Sequence, residues 1–233
     1  MSENLNEPLP ISQQDWAYEQ LRTDILNSTI APSSKLQISD LKDRYQTSVG
    51  PVREAVSRLA AEGLVVKRGQ RGYWAAPASL EEFREITRLR IILEVDALCH
   101  SVNNGDLEWE AKVVGAMYRL SSFSTASGEQ DDIGDGAYQD ENRRFHMALI
   151  GKCGFPWQLR FISALYDQTQ RYWCLSTDQR TAEQREVEHE DHERILSAAL
   201  NRDGEMAGQA LATHIEREAQ SVISTTFIEQ ILT

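Results

Sequence analysis

A chain of 233 residues with 41% hydrophobic and 26% charged side chains can bury the core of one large domain or of two modest ones. It contains no run of about 18 apolar residues, which excludes a membrane-spanning helix. The acidic, polar start MSENLNEPLP is unlike a secretory signal peptide, so we expect a cytoplasmic protein. The scattered cysteines, Cys99, Cys153 and Cys174, exclude a disulfide framework and are expected to be reduced.

The net charge of −12 is the wrong sign for a nucleic-acid-binding protein, but it is unevenly distributed. Residues 1–78 carry nine basic and nine acidic side chains, so the whole acidic excess lies in residues 79–233. The segment Lys35–Trp74 contains eight basic side chains and four acidic ones. Local potential governs contact with DNA more than total charge does, so this segment is a candidate for DNA binding.

The first part of the chain predicts three helices after a flexible N-terminus at 1–13. Apolar residues at helical spacing predict the first helix over 14–26. A second, short helix is predicted over about 39–45, with Ser39 as its N-cap. The third helix is predicted to begin near residue 49 and to end near residue 62, after the tight turn QTSVG.

The pattern then changes to two short strands. Leu64–Lys67 and Gly72–Ala75 flank the sequence RGQRG, which predicts a hairpin with a basic tip. Helix, helix, turn, helix and hairpin is the order of a winged helix-turn-helix. We therefore predict a DNA-binding domain over residues 14–76, followed by a linker over 77–80.

The rest of the chain is predicted to be helical, and no convincing strand is found in it. The polar, glycine-rich segment 124–136 predicts a loop. We expect residues 81–230 to form an antiparallel all-helical bundle, so the fold class is mainly α. The predicted helices span about 80–103, 107–123, 136–151, 156–176, 181–201 and 203–230.

The third helix is expected to enter the major groove, since the N-terminal residues of a recognition helix meet the base edges. Arg53 can reach a guanine edge or a phosphate. The basic hairpin tip suits contact with the backbone or the minor groove. A merely structural three-helix unit with a solvated basic surface is the alternative. The predicted DNA-binding residues are Arg44, Ser48, Val49, Gly50, Pro51, Arg53, Lys67, Arg68 and Arg71.

Three histidines lie on or beside the apolar faces of three different predicted helices. His146, His192 and His214 occupy these positions, and Asn142 lies one turn before His146. Facing helices of a bundle can bring such side chains together around a metal. A hydrogen-bonded core histidine is the alternative at each position. His189, one turn from His192, is expected at the surface.

Arg90 lies on the apolar stripe of the first helix of the bundle. A buried guanidinium needs an anion, because its desolvation is otherwise very costly. Glu94, one turn later, is one candidate partner. The other is the carboxylate of a bound effector, which arginine binds with two parallel hydrogen bonds. Tyr172 is predicted either to line the effector pocket or to belong to the core.

The segment LKDRYQTSVGPVREAVSRLAAEGLVVKRGQRGYWAA resembles the winged helix-turn-helix of the GntR superfamily, over about residues 15–76. The matching features are PVREAV, Leu59, Glu62-Gly63-Leu64 and the wing glycine Gly72. The C-terminal half resembles the FCD ligand-binding domain of the FadR branch, through RIILE at 90–94, NRRFHMALI at 142–150, DHERILSAAL at 191–200 and ALATHI at 210–215. Ser39 and Ser48-Val49 stand where the superfamily often has arginines, so the resemblance implies no operator sequence.

This resemblance implies a homodimeric regulator, expected to be a repressor, that binds a double-stranded DNA operator with an inverted repeat. It also implies a divalent metal bound by Asn142, His146, His192 and His214. Asn142 replaces the commoner Asp and so removes one negative charge from the ligand set. Imidazole-rich sites suit Zn²⁺, with Ni²⁺ or another first-row ion as alternatives. A small organic acid that reaches both the metal and Arg90 is the implied effector.

Two other functions are weighed against a ligand-responsive repressor. An architectural DNA-binding dimer would use the helical domain only for dimerisation. A metal-dependent enzyme would use the three histidines and an open coordination position. The sequence contains no HExxH, GxSxG or P-loop motif, and the attached DNA-binding domain argues against an enzyme.

Overall fold

The computed structural model describes residues 12–124, 135–176 and 181–226. The chain divides into two compact units, with the boundary between Ala78 and Ser79. Most of the predicted flexible N-terminus and of the loop at 124–136 lies outside the described residues. Among the helices in the described ranges, none has the length and apolar character needed to cross a membrane.

The N-terminal unit begins with three helices. These are α1 (Gln13–Leu26), α2 (Ile38–Arg44) and α3 (Val49–Ala61). Ser12 caps α1, because its side chain accepts a hydrogen bond from the amide of Asp15. Leu21 of α1 and Val56 and Leu59 of α3 are fully buried and form the centre of this unit's core. The three predicted helices are therefore present.

The predicted start of α2 is wrong by one residue. The N-cap is Gln37, and its side chain makes no capping hydrogen bond. Ser39 lies within the first turn, where its hydroxyl bonds to the carboxylate of Asp40 at 2.9 Å. A short strand ends at Leu36, two residues before the helix begins at Ile38.

A three-stranded antiparallel sheet completes this unit. The strands β1 (Lys35–Leu36), β2 (Val65–Lys67) and β3 (Tyr73–Ala75) are arranged in the order β1-β3-β2. The hairpin of β2 and β3 confirms the predicted wing, and its tip is a short 3₁₀ turn. Strand β1 was not predicted, and it pairs with β3 so that Leu36 lies opposite Tyr73. Gly72 ends the tip with φ of 109°, a conformation that favours glycine.

The C-terminal unit consists of six helices in its described residues, which confirms the mainly helical fold. Ser79 caps the first helix by accepting from the amide of Glu82. Thr181 and Gln184 form a capping box at the start of the fifth. The predicted end of the last helix, at 230, lies outside the described residues. The helices are α4 (Leu80–Asn104), α5 (Leu107–Ser124), α6 (Asp135–Leu149), α7 (Pro156–Leu175), α8 (Ala182–Leu200) and α9 (Gly204–Thr226).

The core of the helical unit is apolar except at its centre. Helix α4 packs against α7 and α9, and α8 packs against α9. One group of buried polar side chains, from α4, α6, α8 and α9, lies among the apolar ones. Such groups are stable in a core only where they are paired or hold a ligand. They are Arg90 and Glu94 of α4, Asn142 and His146 of α6, Asp191 and His192 of α8, and His214 and Glu218 of α9.

Candidate metal centre and DNA-binding surface

Three imidazoles from three helices meet in the interior of the helical unit. His146, His192 and His214 are each about 1% exposed, and they offer nitrogen atoms that all lie within 4.8 Å of one another. The Nε2 atoms of His192 and His214 are 3.1 Å apart. The apolar faces of α6, α8 and α9 thus bring together the three histidines that sequence spacing selected.

Several buried polar atoms in and around this cluster make no hydrogen bond to any described residue. Within the described parts of the chain, neither His146 Nε2 nor Asn142 Oδ1 has a hydrogen-bond partner, and both are buried. An unpaired buried polar atom is costly and requires an explanation, such as an ion. Imidazole nitrogens together with an amide oxygen suit a divalent first-row metal. The residues present therefore fit a metal site.

The pKa values of two of these histidines favour the form that binds metal. Burial lowers the pKa of His146 despite the nearby Glu94 carboxylate. Burial and the neighbouring imidazoles lower the pKa of His192 well below its usual value. Both rings are therefore neutral near pH 7, as metal coordination requires.

His214 has a different electrostatic environment. Burial lowers its pKa, but the carboxylates of Glu218 and Asp191 outweigh burial and raise it to about 9. Glu218 Oε1 lies 3.5 Å from His214 Nε2, and Asp191 Oδ2 lies 3.6 Å from His214 Nδ1. A metal would replace the proton that this imidazole otherwise holds between two acidic groups.

A second layer of buried groups surrounds His146. Glu94 is fully buried, and its Oε2 lies 3.3 Å from His146 Nδ1 and accepts from the Tyr166 hydroxyl at 3.2 Å. Its Oε1 accepts from Arg90 Nε at 2.7 Å. A carboxylate on the second nitrogen of a histidine fixes the tautomer of the ring and strengthens it as a metal ligand.

Arg90 is paired within the protein, which is the first of the two interpretations that the sequence left open. Its guanidinium is bonded to Glu94 and lies 4.2 Å from the centre of the Tyr166 ring. Its Nη1 is 4.0 Å from Glu218 Oε2. Its Nη2 is buried and has no partner in the described residues. One donor of Arg90 is therefore left for another anion.

The contacts of Tyr172 are with the start of α4. Its ring packs on Phe83 with the centroids 4.6 Å apart. Its hydroxyl bonds to Glu82 and accepts from the amide of Ser79. These partners belong to the start of α4, so Tyr172 joins α7 to that end of α4.

A cavity of about 340 Å³ opens between α8 and α9 next to the cluster. His214 and Glu218 contribute to its wall, and so does Asp191, whose carboxylate is paired with Arg217. Ser221 and Ser224 add hydroxyl groups. This volume is at the lower end of the range for small-molecule sites.

The predicted DNA-binding residues lie on the surface of the N-terminal unit. Ser48, Val49 and Gly50 at the start of α3 are exposed, and Pro51 is half-buried. Arg53 is exposed and forms no ion pair with any described residue. The start of α3 therefore presents its amide groups and one free guanidinium to solvent, as a recognition helix does.

The basic groups of the wing are also exposed. Lys67, Arg68 and Arg71 lie on β2 and the tip, and none forms an ion pair within the described ranges. The Arg68 guanidinium lies 5.2 Å from the centre of the Trp74 ring. By contrast, Arg44 is paired with Asp24 at 3.1 Å, so less of its charge is available.

Sequence reasoning missed three residues around the imidazole cluster. Tyr166 and Asp191 were not selected, because an isolated tyrosine or aspartate on a helix carries no spacing signal. Glu218 was also missed, although it follows His214 by one helical turn on the same face. That spacing was the one available signal.

Comparisons with known proteins agree with this architecture. Residues 13–74 match the family of bacterial regulatory proteins named gntR, and residues 85–217 match the FCD domain. The HTH-type transcriptional regulator BphR of Paraburkholderia xenovorans (strain LB400) is 41% identical over 213 residues, covering 90% of this chain and 86% of BphR. The HTH-type transcriptional repressor GlaR of Escherichia coli (strain K12) is 31% identical over 201 residues, covering 85% of this chain and 90% of GlaR.

Among solved structures, Escherichia coli McbR/YncC has a similar fold. The TM-score is 0.76 at 18% identity, over 92% of this chain and 99% of that one. A GntR-type regulator from Rhodococcus sp. RHA1 gives a TM-score of 0.72 at 20% identity, over 92% and 99% of the two chains. At these identities the similarity establishes the fold alone.

A winged helix-turn-helix joined to a helical domain defines a helix-turn-helix transcription regulator. The chain belongs to the GntR family, in the FadR subfamily whose C-terminal domain is FCD. This is a family of transcription regulators and not of enzymes, so the metal-dependent enzyme considered above is excluded.

Proposed function

We propose that this protein is a repressor that binds an inverted-repeat operator as a homodimer and whose operator affinity is set by a small organic acid bound beside a divalent metal. The observation that carries the proposal is the convergence of three buried imidazoles in the FCD unit of a helix-turn-helix regulator. Because a transcription regulator acts on DNA inside the cell, we place the protein in the cytoplasm. The name of GlaR as a repressor supports repression here.

The proposed metal ligands are His146, His192, His214 and Asn142. Two of the buried atoms without a hydrogen-bond partner among the described residues, His146 Nε2 and Asn142 Oδ1, support this assignment. Three imidazole nitrogen donors favour Zn²⁺, and Ni²⁺ is the principal alternative. When bound, the metal would supply a positive centre to which a carboxylate can bind.

The proposed effector is a small carboxylate that is drawn to the metal and to Arg90. The unpaired Nη2 of Arg90 is the free donor that supports this part of the proposal. The cavity between α8 and α9 leads to the same cluster and has room for a small acid. Binding there would change operator affinity through a coupling free energy of about 1–3 kcal/mol.

The DNA-binding surface is proposed to be the start of α3 together with the wing. Its residues at the helix start are Ser48, Val49, Gly50, Pro51 and Arg53. Lys67, Arg68 and Arg71 would contact the backbone or the minor groove, and Arg44 would add a weaker contact because it shares its charge with Asp24.

The test is operator affinity measured with and without candidate acids. DNA selected from a random pool by the full chain serves as the operator, and a panel of short carboxylates is screened with zinc present. We expect at least one acid to shift operator affinity about fivefold or more. His192→Ala should lose that response, while the matched control His189→Ala on the same helix should keep it. Unchanged affinity with every acid would favour the architectural DNA-binding dimer.

A further inference from the structure

The side chain of Asn142 is held in one orientation. Its Nδ2 donates to Glu218 Oε1 at 3.0 Å, and both residues are buried. Its Oδ1 has no hydrogen-bond partner among the residues that the structure describes. The amide nitrogen is therefore bonded and the amide oxygen is left without a partner, although the two ends of an amide have nearly the same shape.

Only one end of an amide can serve a metal, namely the oxygen. A carboxylate accepts hydrogen bonds and donates none. With Glu218 on one side of Asn142, the nitrogen must face Glu218 and the oxygen is left unpaired. Without that carboxylate, nothing among the described contacts of Asn142 distinguishes the two amide orientations.

Two basic side chains lie beside the carboxylate of Glu218. Its Oε1 lies 3.5 Å from His214 Nε2, and its Oε2 lies 4.0 Å from Arg90 Nη1. A hydrogen bond from an amide to an ionised acceptor is shorter and stronger than one between neutral groups. It also polarises the amide, which increases the negative charge on Asn142 Oδ1.

We propose that Glu218 is a positioning residue for Asn142. It fixes the amide so that the oxygen is the end left for the metal, and its charge strengthens that oxygen as a ligand. Glu218 thus compensates for the asparagine at a position where a carboxylate would carry the charge itself. This inference rests on the proposed function, because it requires the metal site.

Glu94 provides a parallel for this role within the same unit. Its carboxylate contacts His146 Nδ1 at 3.3 Å and leaves Nε2 of that ring without a partner among the described residues. Each of two proposed ligands, Asn142 and His146, thus contacts a buried carboxylate. Arg90 connects the two carboxylates, because it is bonded to Glu94 and lies 4.0 Å from Glu218. Loss of such a partner typically weakens metal affinity about 10- to 100-fold.

The test measures the zinc dissociation constant of the full chain by competition with a chromophoric chelator. Glu218→Gln removes the charge and offers either end of its own amide, so it no longer enforces one orientation of Asn142. We expect about 10- to 100-fold weaker binding. Glu216→Gln removes the same charge from an exposed position on α9 and should leave binding unchanged.

Two further variants separate positioning from direct coordination. In an Asn142→Ala background, Glu218→Gln should change affinity by about twofold or less, because the group through which it acts is gone. In the double variant N142D/E218Q, the new carboxylate at position 142 accepts a hydrogen bond from the new amide at position 218. Most of the lost affinity should therefore return.

The double variant keeps the wild-type net charge and reverses the two roles, because the new carboxylate accepts where the amide donated. Recovery of affinity in it shows that the negative charge can be carried at position 142 as well as at position 218, while the comparison in the Asn142→Ala background tests positioning. Thermal unfolding of each metal-free variant checks that the fold is kept.

Three results would overturn the inference. Equal affinity of Glu218→Gln and Glu216→Gln would remove any role for this carboxylate at the metal. An equal loss from Glu218→Gln with and without Asn142 would make Glu218 a ligand in its own right. If the unmodified chain bound no zinc or other first-row ion, the proposed metal site and this inference would fail together. In the first two cases the metal site would stand and only the role of Glu218 would fail.

Discussion

The orientation of His146 depends on Glu94. The carboxylate lies 3.3 Å from His146 Nδ1, so the proton of the neutral ring belongs on that nitrogen and Nε2 keeps its lone pair. Glu94 also neutralises Arg90, which is 2% exposed. One buried side chain therefore serves both the proposed metal site and the stability of the helical unit.

We expect Glu94→Gln to lower the free energy of unfolding of the helical unit by about 3 kcal/mol, because Arg90 would keep its buried charge and lose its main partner. The variant keeps the more distant contact of Arg90 with Glu218, so we expect a loss of stability at the lower end of the usual range for a broken buried ion pair. Chemical denaturation followed by circular dichroism measures it. Glu85→Gln, at an exposed position on the same helix, is the control and should change stability little. Equal stability of the two variants would contradict this account of the ion pair.

The histidines could be selected from sequence, whereas their supporting residues could not. His146, His192 and His214 interrupt apolar stripes, and a helical bundle turns such stripes inward. Glu218 lies among many acidic residues that are exposed, such as Glu216. Only the packing of α9 against α4 shows which of these acidic residues is buried.

At the scale of elements, the winged helix-turn-helix follows from local patterns except for its first strand. Strand β1 has two residues, too few to show an alternating pattern, and it exists because β3 offers a free edge. The recognition helix α3 was predictable, because buried Val52, Val56 and Leu59 recur at helical spacing.

Arg53 and Arg58 lie on the same helix but differ in their side-chain contacts. Arg58 is paired with Asp15 at 3.0 Å and lies 3.8 Å from the centre of the Tyr18 ring, whereas Arg53 forms no ion pair with any described residue. We expect Arg53→Ala to weaken operator binding by about 1–3 kcal/mol. Arg58→Ala makes the same change in net charge and should have a much smaller effect.

Fluorescence anisotropy with the selected operator measures the DNA affinity of both variants over a range of salt concentrations. Thermal unfolding shows whether either variant loses its fold. Operator binding that falls equally in Arg53→Ala and Arg58→Ala would indicate a response to total charge and would remove Arg53 from the proposed contact surface.

At the scale of the whole molecule, charge and apolar surface are unevenly distributed. The net charge of −12 belongs to residues beyond 78, so the helical unit repels DNA and contact is left to the N-terminal unit. Four large apolar side chains are exposed on the neighbouring helices α4 and α7. They are Leu89, Ile92, Trp157 and Phe161.

We place the contact of the proposed homodimer on these side chains, because interface cores are rich in aromatic residues and Trp157 and Phe161 lie together, with ring centroids 6.3 Å apart. Phe161→Glu should shift the protein from dimer to monomer at micromolar concentration, as measured by analytical ultracentrifugation. Tyr118→Glu alters an exposed aromatic residue of α5 and should leave the dimer intact. The reverse outcome would move the contact to α5.

The most direct test of the central claim is the metal content of the purified full chain, measured by elemental analysis beside His192→Ala and His189→Ala. The account predicts about one equivalent of a divalent first-row metal per chain in the wild type and in His189→Ala, and its loss in His192→Ala. Wild-type protein without metal after incubation with zinc or nickel, or equal metal content in all three proteins, would contradict the claim that the buried imidazoles form a metal site.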